Sequence, residues 1–200
     1  MYVDKSTCIL IPTRGQPKGS PMVPLQVASA WVSLNRPLNS KWCSYTAIGY
    51  EVAEAYNILV AKALEKGFPF ILTMEDDNIP PKEGLVQLHK NIGNFDALSG
   101  IYYSKYDDGS PVHGLPIQEM TPRKTVGIAP VEWVPFGFTL WKADLFKLFE
   151  PPWFRTVDEG EKRMTHDIDF CERARMKGAR FAVDTDLWVG HLDIATDTVY

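Results

Sequence analysis

Short apolar runs alternate with stretches of helical spacing along this chain, and that alternation predicts an α/β fold. Thr7 to Pro12 (TCILIP) has the length and composition of a buried strand, closed by the polar turn Pro12-Thr13-Arg14-Gly15. Gln16 to Pro24 carries three prolines and a glycine and reads as an irregular loop. Leu25 to Leu34 predicts a helix stopped by Asn35-Arg36-Pro37. Val52, Ala55, Tyr56, Leu59, Val60, Ala63 and Leu64 keep i, i+3, i+4, i+7 spacing, so this segment is an amphipathic helix with Gly67 just past its end. Phe68 to Met74 is the next strand, and Leu85, Leu88 and Ile92 mark a helix begun by Pro81. Ala97 to Tyr103 predicts a further strand.

The second half is less regular. Tyr106 to Pro130 is polar and turn-rich, with Asp108-Gly109 as a turn signal. Val131 to Val134 alternates, and Phe136 to Trp141 leads into a short helix, Lys142 to Phe149, ended by Pro151-Pro152. Arg155 to Arg163 is charged and loop-like. A helix from about Asp167 to Lys177 stops at Gly178. Phe181 to Val183 is a last strand, followed by Leu187 to His191. Regular strand–helix alternation early and a mixed second half predict a mixed, mostly parallel sheet with an antiparallel section, flanked by helices.

Composition narrows this only slightly. At 200 residues with 45% hydrophobic content, one domain with a full core is expected over 1–200. A net charge of −4 argues against a protein whose main task is to hold nucleic acid. Cys8, Cys43 and Cys171 are odd in number and widely spaced, which points away from a disulfide framework or zinc cluster and towards a reducing, cytoplasmic setting. No signal-peptide pattern and no transmembrane-length apolar run are expected.

Candidate chemistry concentrates in three places. Glu75-Asp76-Asp77-Asn78 stands where the Phe68–Met74 strand runs out, the end at which open α/β sheets place their ligands. Close carboxylates repel one another, and a divalent cation relieves them. The cluster reads either as a metal and diphosphate site or as a solvated loop with acids capping the helix after Pro81. Asp167 falls near a helix start, where exposed backbone N–H groups favour a carboxylate; it is either a general base or, like Thr165, a cap. His191 follows Trp188-Val189-Gly190 and is either structural or a ligand that suits Mn²⁺ better than Mg²⁺. Arg173, Arg175, Lys177 and Arg180 read as a solvated helix face with a basic last turn.

Taken in order, these segments resemble the GT-A-fold glycosyltransferases, specifically their family-2-like group. Ile9 to Arg14 looks like that family's opening strand and nucleotide-contacting turn. Tyr56-Asn57, Gly67, a strand and an acidic triplet followed by Pro80-Pro81 look like its approach to the D-x-D motif. Val134 to Leu140 resembles its glycine-containing acceptor-side strand, His166 to Arg175 its E-D-x-x-F-x-x-R segment, and Gly190-His191 its late metal histidine. The resemblance runs from about Thr7 to Leu192. Two positions depart from it: Glu75 stands for the first acid of D-x-D, and His166 replaces the acid beside Asp167.

The resemblance implies a GT-A (Rossmann-like) fold with a nucleotide-binding half, 1–105, and an acceptor-side half, 106–200. It implies metal-dependent, inverting transfer of a sugar from a nucleotide sugar, first of all a UDP-sugar, to an acceptor hydroxyl. Mn²⁺ or Mg²⁺ would be held by Asp77 and His191. Asp167 would be the base, with His166 sharing the proton work. Pro12, Thr13, Arg14, Asn57, Glu75 and Asp76 would serve the nucleotide sugar. Trp133, Gly137, Phe138 and Trp153 would line the acceptor or sugar side, or be ordinary core. Arg155 to Arg163 would be a lid or a surface loop. The acceptor stays open: a saccharide, protein, lipid carrier or modified nucleic-acid base. Two rival readings remain. One is a nucleotidyltransferase, for which Gly15-Gln16-Pro17-Lys18-Gly19 is the nearest approach to a triphosphate loop. The other is a non-catalytic sugar- or nucleic-acid-binding module on the same fold.

Overall fold

A computed structural model describes residues 3–13, 23–104, 127–159 and 162–200. Its centre is a seven-stranded sheet in the order β2-β1-β3-β7-β5-β10-β6. The strands are β1 (Thr7–Thr13), β2 (Trp42–Ile48), β3 (Phe70–Met74), β5 (Ala97–Ile101), β6 (Ile128–Val131), β7 (Phe138–Lys142) and β10 (Phe181–Trp188). The pairs β1–β2, β1–β3 and β5–β10 are parallel; β3–β7, β5–β7 and β6–β10 are antiparallel. Five strands therefore share one direction, with β7 and β6 running against them. Including the small sheets β4 (Asn78–Ile79)–β11 (Gly190–Asp193)–β12 (Thr198–Val199) and β8 (Val157–Glu159)–β9 (Lys162–Met164), antiparallel pairs outnumber parallel ones. The sheet is mixed, as expected, but more antiparallel than its opening strand–helix units suggest.

The strand pleat sorts the core into two layers. Cys8, Leu10, Ile71, Trp141, Phe181 and Val183 face one side. There they pack with Ala55, Tyr56, Leu59 and Ala63 of α2 (Val52–Glu65) and Phe170 and Ala174 of α4 (His166–Met176). Ile9, Ile11, Leu72, Leu140 and Ala182 face the other, against Leu85 and Leu88 of α3 (Gly84–Asn91). Leu34, just past α1 (Leu25–Ser33), joins this second layer. Glu51 caps α2 by accepting from Ala53 N–H and Glu54 N–H at 2.8 and 3.2 Å. Gly67 ends it at φ 71°, the left-handed position a glycine takes without strain.

The structure revises several boundaries. The short helix expected over Lys142–Phe149 is a 3₁₀ helix, Ala143–Leu148. Val157–Met164 forms the β8–β9 hairpin instead of a loop, with 160 and 161 outside the described residues. The last main strand runs to Trp188, and a register shift between Val183 and Trp188 carries it past its early end.

Candidate functional site

The carboxyl ends of β1, β3, β5 and β10 open on one edge of the sheet, and the acidic cluster leaves β3 at this edge. Asn78 N–H closes a turn on the Glu75 carbonyl at 3.3 Å, and Glu75 N–H reaches the Gly137 carbonyl at 3.1 Å. Asn78 then pairs with His191 in the antiparallel β4–β11 ladder, and Leu192 N–H donates to the Asp77 carbonyl at 2.8 Å. That ladder brings the two distant segments together: His191 Nε2 lies 3.6 Å from Asp77 Oδ2, with the side chains 13% and 22% exposed.

The other nitrogen of the ring fixes its role. Nδ1 lies 2.8 Å from the Tyr103 carbonyl oxygen, which can only accept. Nδ1 therefore carries the proton, and in the neutral ring Nε2 presents a lone pair towards Asp77. A carbonyl that accepts from the far nitrogen of a histidine is the usual way a metal-binding imidazole is oriented. The 3.6 Å separation is shorter than twice a metal–ligand bond of about 2.1 Å, so one ion can touch both groups. Among the described residues no group of three or more His, Cys, Asp or Glu forms a metal cage. The residues fit a divalent cation that takes its remaining ligands from phosphate oxygens and water.

Tyr56 and Tyr102 lie beneath this edge. Both are fully buried, and burial pushes both phenols well above their ordinary range, with the charges of Glu75, Asp167 and Asp77 adding to the effect. The same three carboxylates act on both rings, so Asp167 shares this neighbourhood with the acidic cluster. Asp167 sits in the first turn of α4, and its Oδ1 accepts from Ile168 N–H at 2.9 Å and from the Thr165 hydroxyl. Those contacts occupy Oδ1.

His166, expected to share the proton work, lies among aromatic rings. It is buried, stacked on Tyr56 at 5.5 Å and met edge-on by Phe136 at 5.2 Å. Burial lowers its pKa, against the opposing pull of Asp167 and Glu51. Its aromatic surroundings thus disfavour the charged ring.

Other expected residues also prove structural. Asn57 donates from Nδ2 to the Phe154 carbonyl at 2.8 Å and accepts from Phe154 N–H at 3.0 Å. Its amide clamps that backbone. Trp153 is buried and donates to the Phe146 carbonyl at 2.8 Å, and Phe138 is buried in the second core layer. Trp133 is partly buried against the first layer. Phe138 and Trp153 thus pack in the core, and Trp133 stands at its margin. Gly137 supports the acidic turn from below: its N–H donates to Tyr102 Oη at 3.1 Å, and an added Cβ would stand 2.5 Å from Asn78 Oδ1.

Pro12 and Thr13 are buried at the end of β1, where the Thr13 carbonyl takes Gly49 N–H at 2.9 Å. Glu75 and Asp76 are half-buried in the turn. Arg14 and the segment Gly15-Gln16-Pro17-Lys18-Gly19 lie outside the described residues. Arg155, at the start of the expected lid, pairs with Asp169 Oδ1 at 3.1 Å. Sequence reasoning did not single out Tyr102 or Tyr103, and Trp188 entered it only as a neighbour of His191.

A mixed sheet of this order with acids at the carboxyl end of β3 is a GT-A-like arrangement, and similarity to solved structures supports that fold. A197 from STIV matches with a TM-score of 0.68 and 19% identity, covering 97% of this chain and 92% of that one. TarS of S. aureus, residues 1–349 in complex with UDP-GlcNAc, matches with a TM-score of 0.57 and 14% identity, over 92% of this chain and 58% of that one. GalNAc-T7 with UDP, GalNAc and Mn²⁺ matches with a TM-score of 0.57 and 11% identity, over 94% and 44%. The chain thus spans little more than half of TarS 1–349 and less than half of GalNAc-T7. No protein-family model matches the chain, and no curated protein matches it in sequence. No helix among the described residues is long and apolar enough to cross a membrane.

Proposed function

We propose that this protein is a metal-dependent, inverting glycosyltransferase of the family-2-like GT-A type, using a nucleoside-diphosphate sugar. The observation that carries the reading is the Asp77–His191 pair, 3.6 Å apart at the carboxyl edge of a GT-A-like sheet, with Nδ1 of the histidine held by a backbone carbonyl. The UDP-GlcNAc bound to TarS and the UDP and Mn²⁺ of GalNAc-T7 support a UDP-sugar and a divalent ion here. A ligand pair of one imidazole and one carboxylate favours Mn²⁺ over Mg²⁺.

Mn²⁺ or Mg²⁺ held by Asp77 and His191 would supply the positive charge that offsets the leaving diphosphate. Everything else falls to the chain. Pro12 and Thr13, at the end of β1, flank the nucleotide, with Arg14 beyond them, and Glu75 and Asp76 line its approach from β3. Asp167 takes the proton of the acceptor hydroxyl through Oδ2, since Oδ1 is held by Ile168 and Thr165. A base so positioned contributes about 10²–10⁴ in rate. The buried phenols of Tyr56 and Tyr102 keep low-dielectric material beneath the three carboxylates, which strengthens each charge interaction above them.

The test is a panel of radiolabelled UDP-sugars with Mn²⁺, read as UDP release with and without saccharide acceptors. Asp167→Asn should lower transfer by at least about a hundredfold and leave UDP affinity within twofold. Asp77→Ala should remove the Mn²⁺ dependence of UDP binding. Wild-type turnover in Asp167→Asn would dismiss the base, and unchanged Mn²⁺-dependent affinity in Asp77→Ala would dismiss the ligand pair. Nucleotide binding without any UDP release would support the non-catalytic module instead.

A further inference from the structure

We propose that the stacked rings of Trp188 and Tyr103 form a platform for the acceptor, and that the acceptor is a saccharide whose pyranose lies against the indole. This rests on the transferase reading for the word acceptor, though the platform is itself a binding site that can be tested alone. The rings are 5.2 Å apart and inclined by only 29°, and Trp188 remains 45% exposed. An indole is among the largest apolar surfaces a chain can bury. Among the described residues it is left partly open and gives the mouth of the site an apolar face.

The platform is tied to the metal pair through the backbone. The carbonyl of Tyr103 is the group that holds Nδ1 of His191, and Trp188 precedes His191 by three residues, with only Val189 between β10 and β11. Tyr102, next to Tyr103, meets the imidazole edge-on at 5.1 Å. A ring resting on Trp188 is thereby placed at a fixed offset from Asp77.

Topology decides between the two flat ligands that could stack there, a nucleobase and a sugar. Asp77 follows β3. In the sheet order, β1 with Pro12 and Thr13 lies on one side of β3; β5, which ends two residues before Tyr103, and β10, which carries Trp188, lie on the other. A nucleotide seated at the end of β1 thus has its base across the diphosphate from the platform. Charge agrees: Asp186 is exposed two residues before Trp188, and its carboxylate disfavours a phosphorylated guest but accepts hydrogen bonds from sugar hydroxyls. The electron-rich face of the indole suits the polarised C–H bonds on the apolar side of a pyranose.

Saturation-transfer NMR with the methyl pyranosides of glucose, galactose, mannose and N-acetylglucosamine tests this, with UDP and Mn²⁺ measured in parallel by calorimetry. The wild type should bind at least one pyranoside, with saturation confined to one face of its ring. Trp188→Ala should weaken that binding at least tenfold, Trp188→Phe should keep it within about threefold, and UDP affinity should move less than twofold in both. Circular dichroism checks that both variants fold; Trp188→Phe keeps the test valid if Trp188→Ala does not. Absence of binding to every pyranoside by the wild type, or equal binding by a folded Trp188→Ala, overturns the proposal. So does a matching fall in UDP affinity, which would make the rings a nucleobase platform. Failure of the wild type to bind UDP with Mn²⁺ would sink the transferase reading instead, while Trp188-dependent binding of a pyranoside would still establish the platform.

Discussion

His89 should make this protein lose stability in mild acid, and the size of the loss can be worked from its surroundings. The ring is buried on α3, 4.7 Å from Phe70, with Nε2 2.8 Å from Thr7 Oγ1. The Thr7 hydroxyl gives its own proton to the Lys5 carbonyl at 2.9 Å, so Oγ1 can only accept from His89. Nε2 therefore carries the proton, and the buried Nδ1 has no hydrogen-bond partner. A second proton would go to Nδ1, away from any acceptor and near the positive Lys5. Burial and that charge bring the pKa down from 6.5 to about 4. Because the folded value is the lower one, the unfolded chain binds more protons between these limits, and stability falls as pH drops below about 6.5 and levels off below about 4. At pH 5 the unfolded ring is almost fully charged and the folded one almost neutral, which costs about 2 kcal/mol relative to pH 7. Urea unfolding of wild type and His89→Gln at both pH values isolates this, since titrations elsewhere cancel in the double difference. The glutamine variant, able to keep a donor to Thr7, should lose about 2 kcal/mol less between pH 7 and pH 5. Equal losses in the two proteins would refute the buried neutral histidine.

Asn57→Ala should destabilise the fold by about 1–3 kcal/mol, because it strands the N–H and carbonyl of Phe154, and should leave UDP affinity unchanged. A fall in UDP affinity at unaltered stability would return Asn57 to the nucleotide. Gly137→Ala should cost about 1–3 kcal/mol by overpacking against Tyr102 and Asn78, read as a lower melting temperature. Since Gly137 also accepts from Glu75 N–H, the same variant should weaken Mn²⁺-dependent UDP binding, and a variant of wild-type affinity would show the turn to be independent of its support.

What could be read in the sequence was whatever is set by local periodicity. α2 was legible because its apolar stripe is unbroken from Val52 to Leu64 and Gly67 closes it with positive φ. β3 was legible because both its faces are covered, so every residue of it is apolar or a buried threonine. β2 gave no such signal: it is an edge strand whose residues are mostly exposed or half-exposed, and Trp42-Cys43-Ser44-Tyr45 mixes polar and apolar side chains on both faces. The insertion of β7 between β3 and β5 was also invisible, since pairing order depends on which hydrophobic faces fit and not on any one segment's composition.

The site divides along the same line, and the division explains which assignments moved. Asp77 and His191 could be suspected because their residue types are chemically narrow, but only the β4–β11 register turns suspicion into geometry. Asn57 and His166 show the converse. An amide on the buried side of a helix has the same sequence signature whether its partner is a ligand or a backbone peptide, and here Phe154 supplied the peptide. A histidine beside a carboxylate reads as a proton carrier until the stacked ring of Tyr56 and the edge of Phe136 show that water is kept from it. Trp188 was passed over because it lies in an apolar stretch that reads as core, yet it is 45% exposed and stacked on Tyr103, whose carbonyl holds the imidazole facing Asp77, and for that reason the proposed platform falls there and not at the buried Trp153 or Phe138. In this fold the chemistry sits where strands stop. The residues that matter are those whose side chains remain polar or open after the sheet has taken everything it can bury.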